Sequence, residues 1–570
     1  MAKISDDKNK GRVKPKVAPA VSKKSVANTD FLDKIENFFV KNEMFAFVSL
    51  LLFSLLSGVF LFDVKLSIGL DDATYIQQAI AFVQEKIYPS FAGVLYPLFL
   101  SIPISIFGVN LIFLKVFSLL FSAGHFVFIF LAFRRRIPMS VLFLVLSFIA
   151  CNHFIHYYDS QTYTESFFMF LQSVFIFFIF KLIDWIGKEG QSLQSSIKYW
   201  LICGFLVFLV TLAKNIAITA VVAFVFFFLL RKEFKWAAFA AGSFLLFKIP
   251  YEVILRSFRG ATPGQLEKLL QKDFYDPAKG LEDFGGFVNR FITNFQNYIS
   301  IHLFRLMNLR PELKFEPTST FLSLLVIAVF LFALWTVWKK NTYLFYLGLH
   351  IMFGFLTTFL VLQVNWNQDR LIIIYLPYFI LFVFSALYMF AKKAGHIIVQ
   401  GPLFFLMCLL VLLGFFSDIG KINKNMPVLK RNLAGDIYYG YTPDYANFLK
   451  MSNWASEYMD TYAAQNPGKK MLVASRKAAM STIYGHGKKF FPVYFVKSDN
   501  ADTNLLYFQK NKVTHVLIAS LRFNTYQKTA NVINTLHKML KPIVDKYPEK
   551  VKMIHVEGDD EQSWLYEIKY

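Results

Sequence analysis

Eleven apolar blocks, each 16–24 residues long and nearly free of acidic side chains, constrain this 570-residue chain more than any motif does. A helix rises about 1.5 Å per residue, so most of these blocks can cross the roughly 30 Å hydrocarbon layer of a bilayer. In that layer only helices and closed barrels satisfy their own backbone polar groups. The blocks fall at 44–62, 110–133, 138–156, 164–184, 198–213, 215–230, 236–254, 318–338, 342–362, 370–391 and 397–417. With 56% hydrophobic residues, 68 Phe and a mean hydropathy of +0.44, the composition excludes a disordered, collagen-like or purely soluble chain. The expectation is a polytopic α-helical membrane protein of about 11 transmembrane helices.

Charge sets the orientation. Lys and Arg outnumber Asp and Glu by 60 to 38, a net +22. The cations cluster at the ends of apolar blocks, where anionic lipid attracts them, so no nucleic-acid partner is expected. With the N-terminus inside, the turns Arg134-Arg135-Arg136, Lys181 to Lys188, Arg231/Lys232/Lys235, Lys339-Lys340 and Lys392-Lys393 are all cytoplasmic. The same parity makes the short, Pro-interrupted stretch 94–109 an interfacial or re-entrant helix, and 198–230 a hairpin. Residues 1–43 read as a disordered, basic cytoplasmic tail, with eight Lys/Arg against two Asp before residue 25. The first block has no small-residue cleavage motif after it and reads as an uncleaved anchor.

The membrane domain then covers 44–417, with outer loops 63–109, 157–163, 255–317 and 363–369. From 418 to 570 the pattern changes to a helix at 443–464, strands at 470–475, 490–496 and 513–520, a helix at 526–546, and a hairpin of 551–557 with 563–569. That is a small C-terminal α/β extracytoplasmic domain. Cys151, Cys203 and Cys408 all fall in apolar blocks, so neither a disulfide framework nor a zinc site is implied.

Chemistry concentrates on the outer side. Asp71-Asp72-Ala73-Thr74-Tyr75 follows the first block and opens a helix, whose N-terminal dipole favours negative charge. The pair reads either as a cap with an acidic first turn or as a carboxylate held near the bilayer surface as a general base. Leu95-Tyr96-Pro97-Leu98 comes next, and the second loop adds Asp159 and Thr164-Glu165-Ser166. Cations stand in two other loops: Lys214 inside the 198–230 hairpin, and Arg370 closing Asn365-Trp366-Asn367-Gln368-Asp369-Arg370. Ionisable groups at membrane depth are costly and mark function. Acids in two loops and cations in two others suggest a site for a phosphorylated lipid.

Together these residues resemble the GT-C superfamily of polyprenyl-phosphate-sugar-dependent glycosyltransferases, in particular the branch of protein O-mannosyltransferases and the aminoarabinose transferase of lipid A. Asp71-Asp72-Ala73-Thr74-Tyr75 is similar to the family's Asp-Glu-x-x-Tyr-like motif, with Asp for Glu. Leu95-Tyr96-Pro97-Leu98 is similar to a Pro-Leu-Tyr-Pro-Leu-like helix without its first Pro, and Thr164-Glu165-Ser166 to a Thr-Glu-Pro-like start of the fourth span. Lys214 and Arg370 fall on the family's hairpin Lys and late-span Arg, with Pro377 beyond, and Ser475-Arg476-Lys477 looks like a strand end of many outer domains.

The resemblance implies an inverting transfer from a polyprenyl-phosphate-linked sugar to a protein, lipid A or glycan acceptor. Asp71 would be the base and Asp72 its catalytic neighbour, while Tyr75, Asp159, Glu165, Lys214 and Arg370 bind substrate. Asp71, Asp72, Asp159 and Glu165 are compatible with Mg²⁺ or Mn²⁺ without demanding it. Arg476 and Lys477 read on their own as solvated charges. His153 and His156 stand at i,i+3 with no third ligand nearby, which favours an interfacial helix end over a metal pair. No GxxxxGK or paired-glycine loop points to a nucleotide. The absence of an Asn-x-Ser/Thr sequon leans toward a bacterial inner membrane with the site facing the periplasm. A transporter or flippase, a non-catalytic membrane scaffold for cell-envelope assembly, and a related glycan polymerase or ligase stand as alternatives; the first would place ionisable groups mid-span beside paired broken helices.

Overall fold

A computed structural model describes residues 31–69, 71–90, 93–187, 193–259, 269–273, 279–310, 317–393, 397–522 and 535–570. Residues 1–30 of the expected tail, parts of the 255–317 loop, Lys188 of the second cytoplasmic turn, and the first part of the helix expected at 526–546 lie outside them.

Every expected apolar block is helical. Among the described residues eight helices are long and apolar enough to cross a membrane, and a ninth crossing results if one bent pair counts as a single span. The other two expected spans, Asn215–Leu230 and Leu376–Lys392, are shorter helices. The helices that build the site are α1 (Phe31–Lys41), α2 (Glu43–Phe60), α3 (Asp71–Glu85), α4 (Leu95–Phe107), α5 (Leu111–Phe133), α6 (Met139–Ala150), α7 (His153–Asp159), α8 (Thr164–Ile186) and α9 (Leu193–Ala213). Of the candidate spans α8 is the most enclosed, with 72% of its apolar window buried. It runs against α5 on one side and α9 on the other.

Three departures from the sequence expectation have local causes. The tail is not irregular throughout: 31–41 forms α1, a helix whose Glu36 carboxylate accepts from Met139 N and Ser140 N at 2.7 and 2.9 Å and so caps α6. The third span is broken, because the helix stops at Ala150 and restarts under an Asn152 cap that accepts from Phe154 N and Ile155 N, with a bend of 62°. The tenth is interrupted as well. A turn at Arg370–Ile373 precedes the helix Leu376–Lys393, where Pro377, lacking an N–H, fits the first turn.

The last apolar helix continues from Ile397 to Leu433 before the tail folds around Pro443–Gln465. There five strands, β1 (Val473–Ser475), β2 (Phe490–Pro492), β3 (His515–Ala519), β4 (Val551–Glu557) and β5 (Ser563–Ile568), make one sheet ordered β2-β1-β3-β5-β4. β1 is parallel to β2 and β3, while β5 is antiparallel to β3 and β4. The described part of the helix expected at 526–546 is Thr535–Lys546. Two further helices lie between the strands, Ala478–Tyr484 and Ala501–Lys510. The first packs on α3, which brings the tail against the loop that carries Asp71 and Asp72.

Candidate functional site

The site is built on the turn between α2 and α3. Phe62 and Val64 pack with Leu429 and Leu66 is buried in the main core, and among these apolar anchors Lys115 supplies the polar one. It lies fully buried near the start of α5 and donates to the carbonyls of Asp63, at 2.7 Å, and Lys65, and to Gln161 Oε1 at 2.9 Å. Gln161 in turn donates to Asp63 Oδ2 at 3.2 Å, and Lys65 Nζ reaches Asp63 Oδ1 at 2.8 Å. Burial pushes the Asp63 carboxyl up, but the two lysines outweigh it and hold the group below its ordinary value.

The adjacent carboxylates that open α3 have separate fates. Asp72 is buried and accepts from Ser67 N at 2.7 Å, Ser67 Oγ at 3.1 Å and Ala73 N at 2.8 Å. The Ser67 hydroxyl is also 2.6 Å from the Tyr163 hydroxyl, which fastens the turn to the second loop. Burial raises the Asp72 pKa against the pull of Lys115 and these donors. Asp71 points the other way. Its side chain is 28% exposed and its carboxylate pairs with the Arg370 guanidinium.

Arg370 is oriented by Gln368 Oε1 at 2.7 Å and stacks over the Tyr163 ring at 5.2 Å. The preceding Asp369 is held by His302 and, at 3.3 Å, by Arg305. Beside this pair stands a second one: Lys214 Nζ donates to Glu165 Oε1 at 2.7 Å. Glu165 is buried at the start of α8, and its Oε2 has no hydrogen-bond partner among the described residues. Burial lowers the Lys214 pKa, Glu165 restores part of it, and Arg370 and Asp71 also act on it. The four charges therefore form one cluster of two acids and two cations.

Backbone geometry fixes the Lys214 corner. Gly93 has φ +90°, and a Cβ there would lie 2.1 Å from the Ala213 carbonyl oxygen, so the approach to α4 can pack on the end of α9 only with glycine. Tyr75 is buried under the cluster, edge-on to Tyr96 at 5.7 Å, and Tyr96 lies 5.5 Å from Phe167.

The structure thus gathers Asp71, Tyr75, Glu165, Lys214 and Arg370, with Asp72 behind them. Asp159 is engaged elsewhere: its Oδ2 meets His156 Nδ1 at 3.1 Å, while Ser166 Oγ donates to Oδ1 at 3.4 Å. His156 also contacts the Ala150 carbonyl at 2.9 Å, with Asp418 Oδ2 3.9 Å from its Nε2. Asp71, Asp72 and Asp159 are committed to their own partners, as is one oxygen of Glu165, and among the described residues no three His, Cys, Asp or Glu side chains group as ion ligands. The arrangement does not form a cage for Mg²⁺ or Mn²⁺.

Two participants were not foreseen. Lys115 sits inside an apolar block, and an ionisable residue at such a position is itself the signal. Lys477, expected as a solvated charge, is buried instead. It follows β1, donates to the Ile68 carbonyl at 2.5 Å and lies 5.4 Å from the Tyr445 ring. Burial and Arg476 bring its pKa down to about 8, partly offset by Asp72 and Asp71. Tyr441 OH donates to the Leu66 carbonyl at 2.7 Å, so the tail grips both neighbours of Ser67.

No known family profile and no curated protein sequence matches this chain. Solved structures do. An oligosaccharyltransferase from Archaeoglobus fulgidus, tethered to an acceptor peptide containing the NVT sequon, aligns with a TM-score of 0.52 at 14% identity, over 85% of this chain and 70% of that one. ArnT from Cupriavidus metallidurans bound to undecaprenyl phosphate aligns with a TM-score of 0.53 at 9% identity, over 91% of this chain and 97% of that one. At these identities the likeness establishes the fold alone, and the polytopic α-helical membrane architecture with a small C-terminal α/β domain expected from the sequence is the one observed.

Proposed function

We propose that this chain is an inverting glycosyltransferase of the GT-C type that moves a sugar from a polyprenyl-phosphate donor to a protein, lipid A or glycan acceptor on the extracytoplasmic side of a bacterial inner membrane. The observation that carries the reading is the partly exposed Asp71 paired with Arg370 beside the Glu165–Lys214 pair. Its fold is shared with a protein whose structure holds undecaprenyl phosphate.

The donor's phosphodiester is an anion, and two cations stand where it would leave. As that phosphate reaches Arg370, it competes with Asp71 for the guanidinium. Asp71 is thereby freed to accept the proton of an acceptor hydroxyl or amine. The acceptor oxygen or nitrogen forms a bond to the anomeric carbon from the face opposite the phosphate, the carbon–oxygen bond to phosphate breaks, and its electron pair stays on the lipid phosphate. Arg370 and Lys214 offset that developing charge. Asp72, tied to three donors, holds the turn in register and does not meet the acceptor. The Glu165 Oε2 oxygen, buried and without a partner among the described residues, receives a hydroxyl of sugar or acceptor. Each of these roles is performed by the chain's own side chains.

The test is transfer from a panel of radiolabelled polyprenyl-phosphate sugars in membranes containing the protein. Incorporation of label above empty membranes from at least one donor is expected. Label from sugar nucleotides alone, with none from any lipid-linked donor, would overturn the donor class.

A further inference from the structure

The end of the bundle opposite the acid–base cluster carries a second binding feature. Both α5 and α8 begin at the cluster, and a 23-residue helix extends about 35 Å, so their C-terminal ends lie across the membrane from it. There the turn after α5, the end of α8 and the turn before helix Thr342–Val361 enclose a cavity of about 700 Å³.

Its lining is strongly cationic. Arg134, Arg135, Arg136, Lys181 and Lys340 face it, with Asp184 as the one acid among the lining residues. Three of the five are already neutralised in part: Arg134 and Arg135 share Glu43, the latter at 2.9 Å, and Arg136 pairs with Asp184. Five cations against two carboxylates leave a surplus of three. Lys181 and Lys340 have no carboxylate partner among the described residues; their ammonium groups sit 5.4 Å from the Phe177 ring and 5.9 Å from the Phe390 ring. Leu131 and Phe177, from two spanning helices, add apolar surface to the same lining.

Cations alone in the cytoplasmic turns would be the ordinary consequence of topology. Here they are drawn around one hollow that also has Leu131 and Phe177 in its lining, with two ammonium groups left over. That combination suits an anionic headgroup whose acyl chains remain in the membrane. We propose that this cavity binds the phosphate of an anionic phospholipid of the cytoplasmic leaflet. A free phosphate would meet the same cations but would gain nothing from Leu131 and Phe177. The inference is independent of the reaction assigned to the outer face.

The experiment uses the full chain, purified in detergent, and titrates dioctanoyl phosphatidylglycerol, dioctanoyl phosphatidylcholine and inorganic phosphate, with bound lipid counted by native mass spectrometry. The variants are Lys181→Gln with Lys340→Gln, which breaks no ion pair and removes two charges, and Lys339→Gln, which removes one charge outside the lining. Phosphatidylglycerol is expected to bind saturably, the double variant to weaken it about tenfold or more, and Lys339→Gln to leave it unchanged. Sugar transfer should be the same in all three proteins. Equal binding of phosphatidylcholine, unchanged affinity in the double variant, an equal loss in Lys339→Gln, or inorganic phosphate displacing the lipid at matching concentration would each overturn the proposal.

Discussion

Replacing Lys115 with methionine should release the turn that leads to Asp71, the proposed base, although Lys115 is placed to touch no reacting atom. The ammonium serves two backbone carbonyls and the Gln161 amide oxygen from a fully buried position. Methionine fills the same channel and donates nothing. Three buried acceptors then lose a donor, at about 1–3 kcal/mol each. Relief from burying an ammonium returns part of that sum, which leaves a net loss of about 2–4 kcal/mol confined to the turn. At about 1.4 kcal/mol per tenfold, the equilibrium between held and released turn shifts by roughly 30- to 1,000-fold. The assay is amide hydrogen exchange over 61–69 alongside sugar transfer. Exchange in the turn should accelerate by that factor while α8 is unchanged, and transfer should fall with it. Lys115→Arg, which keeps the charge, should lose less. A methionine variant with unchanged exchange and full transfer would refute the assignment of Lys115 as the pin.

Other consequences are as direct. Gly93→Ala places a methyl against the Ala213 carbonyl at a positive φ and should cost about 3 kcal/mol or more, read as a lower Tm and a weakened Lys214 corner. Arg370→Lys keeps the charge and loses the planar fork, so donor affinity should fall about tenfold, one charge-assisted hydrogen bond, measured as Kd for polyprenyl phosphate. Lys477 is charged below about pH 8 and neutral above it, so transfer should decline on the alkaline side near pH 8. In Lys477→Arg, always charged, that limb should move upward; an identical profile would remove Lys477 from the site's electrostatics.

Much of this architecture was legible because the bilayer enforces it. An apolar block of fixed length has one acceptable conformation in hydrocarbon, so the eleven blocks located the helices without knowledge of their partners. What composition could not show was where a helix breaks: Asn152 caps a restart inside a block that looks continuous, and Pro377 divides the tenth. In the tail the strands lay within the expected runs, but the helices Ala478–Tyr484 and Ala501–Lys510 were missed, being only seven and ten residues long.

The site followed the same division. Asp71, Glu165, Lys214 and Arg370 stood out as charges at the ends of apolar blocks. Their pairing across 299 residues for Asp71 with Arg370 and 49 for Glu165 with Lys214 did not, since residue type says nothing about partner. Asp71 and Asp72 were indistinguishable until Ser67 and Arg370 took one each. Asp159 looked equivalent to Glu165, yet His156, one helical turn away, claims it. Lys477 was unreadable for a related reason: a lysine after a short strand is ordinarily solvated, and only the docking of the tail on the 66–68 turn buries it.

The central claim is that Asp71 is the base and that donor phosphate frees it from Arg370. It is tested most directly by comparing the natural protein with Asp71→Asn at matched expression, measuring both sugar transfer and binding of sugar-free polyprenyl phosphate. Transfer should drop by about 10²–10⁴-fold while lipid phosphate binds at least as tightly, because Arg370 no longer has a carboxylate to leave. Equal transfer by the two proteins would contradict the account.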